Sequence, residues 1–489
     1  MQHNQENVNV IDNYTNIPDD LLHFLKQDTY SLLIKGRTGT GKTTLALTIL
    51  RALKIKKNCL YISTRSSPDK IFQHFPWLNS FFAEAKKSQL DESTETRTDL
   101  PLFVDGRLDE PAILYERITN QLMDTKSPMI IIDSWDSVGY MMDKEALITN
   151  TRVLQTWRER SGAKMIFVVD NPEDSTFDFL VDGIVELNQR YHNDRIVREI
   201  HISKLRGVRI NRPSYVFSLH NSIFRSYSPY RPTEFSISLP SKVSKYETKN
   251  ITPLLFDESH ITTGYPEFDK LLGGGFPLKS VVNIELDYHV NFRVALAFLN
   301  RIISNFAASG NPILLQPFEG IHRNYVETYL NARFSAQQKK DLIKILNHTQ
   351  LKKTLAYFMA DKKYTSAKKQ SDSFHQIVIK TKKKFPKKML LNIMELDITP
   401  HSHNTEDINK INHLLVDFIR SNAELSIFIT QHSQKNTLEY LPRLSDIRIR
   451  ILEINGTLFL QSQAPWSPLY AIVVDKHRGH LDIELEPIV

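Results

Sequence analysis

The chain has little of what staples or anchors a protein. Its 489 residues include one cysteine, Cys59. That excludes an intramolecular disulfide framework and a multi-cysteine zinc site. A reducing interior is the expected setting. No run of about 18 consecutive apolar residues occurs, so neither a transmembrane helix nor a membrane partner is expected. Residues 1–16 are polar, rich in Asn and Gln, and lack the apolar core of a signal peptide. They read as a disordered tail on a cytoplasmic protein. Charge of one sign is modest too: 62 Lys and Arg against 55 Asp and Glu give +7. Nucleic acid or an acidic partner is permitted, not required. Hydrophobic residues make up 41%, which supports real cores and excludes a wholly disordered chain.

What is present is a sequence of short apolar runs separated by helical stretches. Residues 30–34, 59–63, 129–133 and 164–170 read as buried strands, and 45–53 as a helix. Such alternation predicts a parallel sheet with helices on both faces. From Val181 onward, shorter runs at 183–187, 197–203 and 215–219 predict an antiparallel extension of that sheet. The second half echoes the first. Tyr265-Pro266-Glu267-Phe268 resembles the helix at Ile17, Val281 to Ile284 the first strand, and Leu425 to Thr430 the fourth. A period this long means duplicated domains. The expected division is a tail at 1–16, a first domain at 17–228, a linker at 229–258 and a second domain at 259–489.

The sharpest motif is Gly36-Arg37-Thr38-Gly39-Thr40-Gly41-Lys42-Thr43-Thr44, a full phosphate-loop pattern between a strand and a helix. Glycines let consecutive backbone N–H groups converge on phosphate oxygens. The helix N-terminus adds positive potential. Lys42 is expected at the β- and γ-phosphates and Thr43 at Mg²⁺. Asp133 ends the strand where such proteins place the acid of the Mg²⁺ site.

This loop, Ile131-Ile132-Asp133-Ser134 and Lys204-Leu205-Arg206-Gly207 together resemble RecA-type ATPases of the KaiC/RadA class. Nearest among these are the archaeal gas-vesicle regulators, the GvpD-like proteins. The resemblance covers the first domain and extends weakly over the second through Thr262-Thr263-Gly264 and Leu271-Leu272-Gly273-Gly274-Gly275. It implies an α/β fold of tandem RecA-like P-loop NTPase domains. It also implies ATP and Mg²⁺ as cofactors, and nucleotide held between protomers of a homo-oligomer or within an intramolecular domain pair. By the same resemblance, Lys204 and Arg206 are candidate fingers acting on a neighbour's γ-phosphate. A solvated basic strand end is the plainer alternative.

Two departures stand out. KaiC-like enzymes carry paired glutamates after the second strand, and here Arg65 and Ser66 take those places. Neither serves readily as a general base. Asp69 and Asp136 are candidate substitutes. In the second domain Leu286, His289 and Asn291 replace the loop glycines, Phe292 the lysine and Arg293 the hydroxyl. Aligning Met389 with Met129 puts Ile393 in place of Asp133. The second domain is therefore expected to be degenerate.

Weaker signals are a basic stretch from Arg190 to Arg212, a lysine run at 362–388, and His401-Ser402-His403, which lacks a third metal ligand. The sequence reads as a Mg²⁺·ATP-binding regulator or switch with slow or absent hydrolysis and a regulatory protein partner. An active DNA-dependent ATPase of the recombinase type, or a non-catalytic scaffold, are the alternatives.

Overall fold

The computed structural model describes residues 17–88, 102–139, 142–235, 255, 257–316, 323–347, 350, 373–395, 405–431, 443–475 and 482–489. The expected tail at 1–16 and the His401-Ser402-His403 cluster lie outside them. The chain forms two compact units, Met1–Ser228 with Pro487–Val489, and Pro229–Glu486. Part of the stretch read as linker belongs to the second unit: Phe235 is buried in its core, and the Tyr230 N–H donates to Gly456 O.

The first unit is built on β1 (Tyr30–Gly36), β2 (Cys59–Ser63), β3 (Leu102–Asp105), β4 (Met129–Asp133), β5 (Lys164–Val169), β6 (Gly183–His192), β7 (Arg195–Leu205), β8 (Ser214–Ser218) and β9 (Arg225–Tyr227). They form one nine-stranded sheet in the order β3-β2-β4-β5-β1-β6-β7-β8-β9. Pairing is parallel from β3 to β6 and antiparallel from β6 to β9. β1, β2 and β4 are buried along their whole length, as expected of strands covered on both faces. Side chains alternate between two cores. Leu32, Ile34 and Ile131 join Leu45 and Ile49 on one face, while Leu33, Ile130 and Ile132 join Trp135 on the other.

The second unit opens with a two-stranded ribbon, β10 (His260–Ile261) and β11 (Phe276–Pro277). Its main sheet comprises β12 (Ser280–Leu286), β13 (Ile313–Leu315), β14 (Ile343–Ile345), β15 (Leu391–Glu395), β16 (Leu425–Gln431), β17 (Ile447–Ile454), β18 (Thr457–Ala464), β19 (Tyr470–Asp475) and β20 (Asp482–Pro487). The order, β14-β13-β15-β16-β12-β17-β18-β19-β20, repeats that of the first sheet position by position. The likeness reaches fine detail. In the first unit the Ser31 N–H donates to the Asp182 carboxylate, and the Asp182 N–H returns to Ser31 O. Val281 and Asp446 exchange the same two bonds. Both sheets also carry a β-bulge at the same place, between Ile184 and Val185 and between Arg448 and Ile449.

Register corrects one alignment. Met129 pairs with Lys164, which pairs with Tyr30. Leu391 pairs with Leu425, which pairs with Ser280. Leu391 thus corresponds to Met129, and the residue at the position of Asp133 is Glu395 rather than Ile393. The sequence 389–394 is almost uniformly apolar, so a slip of two residues keeps every side chain on its face and leaves no mark in the pattern.

Candidate nucleotide site

The phosphate loop leaves the carboxyl end of β1 and enters the helix Lys42–Ala52. Its glycines are required by geometry. Gly36 has φ +154°, and a Cβ there would lie 2.5 Å from Leu187 O and 2.7 Å from Thr40 Oγ1. Gly41, which precedes the helix, sits at φ +98°, ψ 19°, in the left-handed region. Thr40 Oγ1 donates to Arg37 O at 2.7 Å and closes the turn. The helix N-terminus behind this cradle has no side-chain cap. Its free N–H groups are the donors an anion takes up.

Lys42 is buried and engaged by the protein. Its Nζ donates to Gly36 O at 2.6 Å and Arg37 O at 2.9 Å, and it pairs with the Asp170 carboxylate at 2.9 Å. Burial first, then the nearby Arg65 guanidinium, push its ammonium down to about 8. Thr43 Oγ1 donates to Asp133 Oδ2 at 2.6 Å, and Tyr61 OH donates to the same oxygen at 2.7 Å. A hydroxyl and a carboxylate thereby meet beside the cradle, a donor set suited to a hard cation such as Mg²⁺. Thr64, just past β2, closes the neighbouring strand ends. Its N–H donates to Asp133 O at 2.8 Å, and its hydroxyl accepts the Ser134 N–H at 2.8 Å.

The remaining sequence-derived candidates fall in different places. Arg37 and Thr38 lie exposed on the loop. Thr44, the third residue of the helix, is buried. Asp136 Oδ2 accepts the Asp170 N–H at 2.5 Å, and burial raises its carboxyl to about 6. Asp69 is exposed on the helix Pro68–His74. Lys204 pairs across the sheet with Ile184, level with Leu33, and donates to the carbonyls of Asp178 and Val181 at 2.9 and 2.6 Å. Arg206 pairs with Asp182 at 2.9 Å. That is level with Ser31, about 16 Å along the sheet from Gly36 at ~3.3 Å per residue. Neither residue touches its own loop.

Three participants escaped the sequence reading. Asp170 was legible only as a strand end. Tyr61 is an interior strand residue like its neighbours. Arg198, counted merely as part of a basic stretch, donates from Nη1 to Gly39 O at 3.0 Å and from Nε to the Val489 main-chain oxygen at 2.6 Å. Much of that stretch is engaged within the fold: Arg190 pairs with Glu199, and Arg212 Nε donates to Ser214 O. In the lysine run, Lys382 pairs with Glu424 and Lys388 donates to Ser309 O. Residues 362–372 of that run lie outside the described residues.

In the second unit the turn between β12 and the helix Phe292–Ala308 joins the corresponding elements by another backbone path, with Asn291 extended at φ −73°, ψ 140° where Gly41 is left-handed. Asn291 caps the helix by accepting the Arg293 N–H, so a side chain fills the place of an anion. Asp287 pairs with Arg450 at 2.7 Å.

A glycine cradle at the end of a central parallel strand, with its acid two strands away, places the first unit among the P-loop proteins of the RecA superfamily. Residues 21–203 match the family model of the GvpD gas vesicle protein P-loop domain. The chain is 28% identical over 291 residues to GvpD1 of Halobacterium salinarum, covering 56% of this chain and 51% of that protein. GvpD2 of the same organism is 22% identical over 502 residues, covering 95% of each. The circadian clock oscillator protein KaiC of Prochlorococcus marinus is 23% identical over 284 residues, covering 54% of this chain. The aligned regions span about half the length of GvpD1 and of KaiC, 51% of each. Its P-loop domain is thus GvpD-like and KaiC-like, and both sheets are those of RecA-like domains. Among the described residues, no helix is long and apolar enough to cross a membrane.

Proposed function

We propose that the first domain binds Mg²⁺·ATP and that the chain acts as a nucleotide-dependent regulator or switch, with slow or absent hydrolysis. The observation carrying this reading is the Thr43–Asp133 hydrogen bond beside the glycine cradle. Residues 36–44 would wrap the phosphates, and Thr43 and Asp133 would hold Mg²⁺. The metal, when bound, neutralises phosphate charge. The protein's part is to orient the phosphates on the loop and helix N-terminus and to hold the Asp133 carboxylate in place through the Thr43 and Tyr61 hydroxyls.

Weak hydrolysis follows from what stands where a base belongs. Arg65 is an ion-pair partner of Asp170. The Ser66 N–H donates to Ser63 Oγ. Asp136 is the candidate acid nearest the loop in the network, but it already accepts the Asp170 N–H. Lys204 and Arg206 would act in a neighbouring protomer's site if the chain assembles like the family it resembles. The second domain, without a lysine or a Ser/Thr hydroxyl on its loop, would serve as a nucleotide-free structural and partner-binding module.

Titration of the purified full chain with a fluorescent ATP analogue, alongside single-turnover hydrolysis, tests this. Micromolar binding lost in Lys42→Ala, with little product formed, is expected. Undiminished binding by that variant would sink the site assignment.

A further inference from the structure

The loop lysine is occupied by the protein itself. Lys42 Nζ donates to two main-chain acceptors, Gly36 O and Arg37 O, and its charge is paired with the Asp170 carboxylate at 2.9 Å. Asp170 stands at the tip of β5, between β1 and β4 in the sheet. The topology therefore puts a second carboxylate at the strand end between the one that carries the phosphate loop and the one that carries Asp133. Its backbone N–H is anchored on Asp136 Oδ2. Its other cationic partner is Arg65, so a single carboxylate holds two cations. The Arg65 side chain is 44% exposed and the Asp170 side chain 17%, so the arginine lies on the open side of the pair.

A nucleotide phosphate reaching Lys42 would meet Asp170 first. Two anions on one ammonium repel each other, and in a partly buried site that repulsion is poorly screened. Phosphate can take Lys42 only as Asp170 gives it up. Released from the same carboxylate, Arg65 presents a planar guanidinium suited to two phosphate oxygens at once.

Resting on the nucleotide-site reading, we infer that Asp170 is a latch displaced by nucleotide and that Arg65, freed by that displacement, reads the terminal phosphate. Asp170 sets affinity, and Arg65 sets preference for triphosphate over diphosphate. The residue in the place of the catalytic glutamate is thus a specificity residue rather than a lost function.

Equilibrium titrations of the full chain with fluorescent ATP and ADP analogues test both parts. The variants are Asp170→Asn, Asp170→Ala, Arg65→Gln, Arg65→Lys and Lys42→Ala, each first checked for a wild-type melting transition. Removing the competing charge in either Asp170 variant should tighten ATP and ADP on the order of tenfold. Arg65→Gln should weaken ATP by about tenfold relative to ADP, and Arg65→Lys should restore part of that ratio. Unchanged or weakened binding in both Asp170 variants overturns the latch. Equal effects of Arg65→Gln on ATP and ADP overturn the terminal-phosphate role. Binding that depends on Lys42 but ignores Asp170 and Arg65 leaves the nucleotide site standing and removes this inference alone. Absence of binding in wild type and Asp170 variants alike removes both.

Discussion

Thr43 and Asp133 lie 90 positions apart in sequence, yet the Thr43 hydroxyl donates to the Asp133 carboxylate at 2.6 Å. The sheet brings them together. β1 delivers the loop, β4 delivers the acid, and β5 spaces them. Replacing Asp133 with Asn should abolish the dependence of ATP affinity on Mg²⁺. Titrations with Mg²⁺ and with a chelator would differ for wild type and coincide for the variant. Asp133→Ala should in addition cost about 1–3 kcal/mol of stability, because the buried Tyr61 hydroxyl loses its acceptor.

Gly41 supports a backbone prediction. Its left-handed φ would strain any side chain, and an alanine Cβ would approach Leu219 Cδ1 at 2.7 Å. The leucine tip can move, but the backbone strain cannot be relieved. Gly41→Ala should cost about 1–2 kcal/mol in denaturant unfolding, and Leu219→Ala should fail to rescue it. Rescue would place the cost in the contact instead.

Asp136 predicts a pH dependence. Its carboxyl is raised from 3.8 to about 6, chiefly by burial. The folded state therefore binds the proton more tightly than the unfolded state. Stability from this group is greatest at low pH and falls as pH rises from near 4 through 6. Asp136→Asn, which keeps an oxygen to accept the Asp170 N–H, should raise the melting temperature at pH 8. The gain should shrink below pH 6 and vanish near pH 4. A gain that is constant with pH would exclude the ionisation as its cause.

Local chemistry was legible in the sequence. The phosphate loop is contiguous, and its glycines, lysine and threonine announce themselves at fixed spacing. Asp133 followed because it ends an isoleucine run. What stayed hidden depends on strand order. Asp170 matters because β5 lies between β4 and β1, and Arg198 because β7 carries it to Gly39. Neither neighbour relation has a sequence signature. Glu395 was missed for the reason that any uniformly apolar strand hides its register.

That misplaced residue sets the last prediction. Glu395 is buried at the position of Asp133, so the second domain keeps an acid where a Mg²⁺ site would need one. The acid alone does not make a site. At the positions of Lys42 and Thr43 stand Phe292 and Arg293, and Asn291 already caps the helix N-terminus that would face phosphate. Arg293 lies over the Tyr325 ring at 4.5 Å, turned to packing. Calorimetric titration should therefore find one nucleotide per chain, and Lys42→Ala should remove all of it. Glu395→Gln should leave the stoichiometry at one. A second equivalent that survives Lys42→Ala and disappears in Glu395→Gln would show that the second domain binds nucleotide through an arrangement without a phosphate-loop lysine.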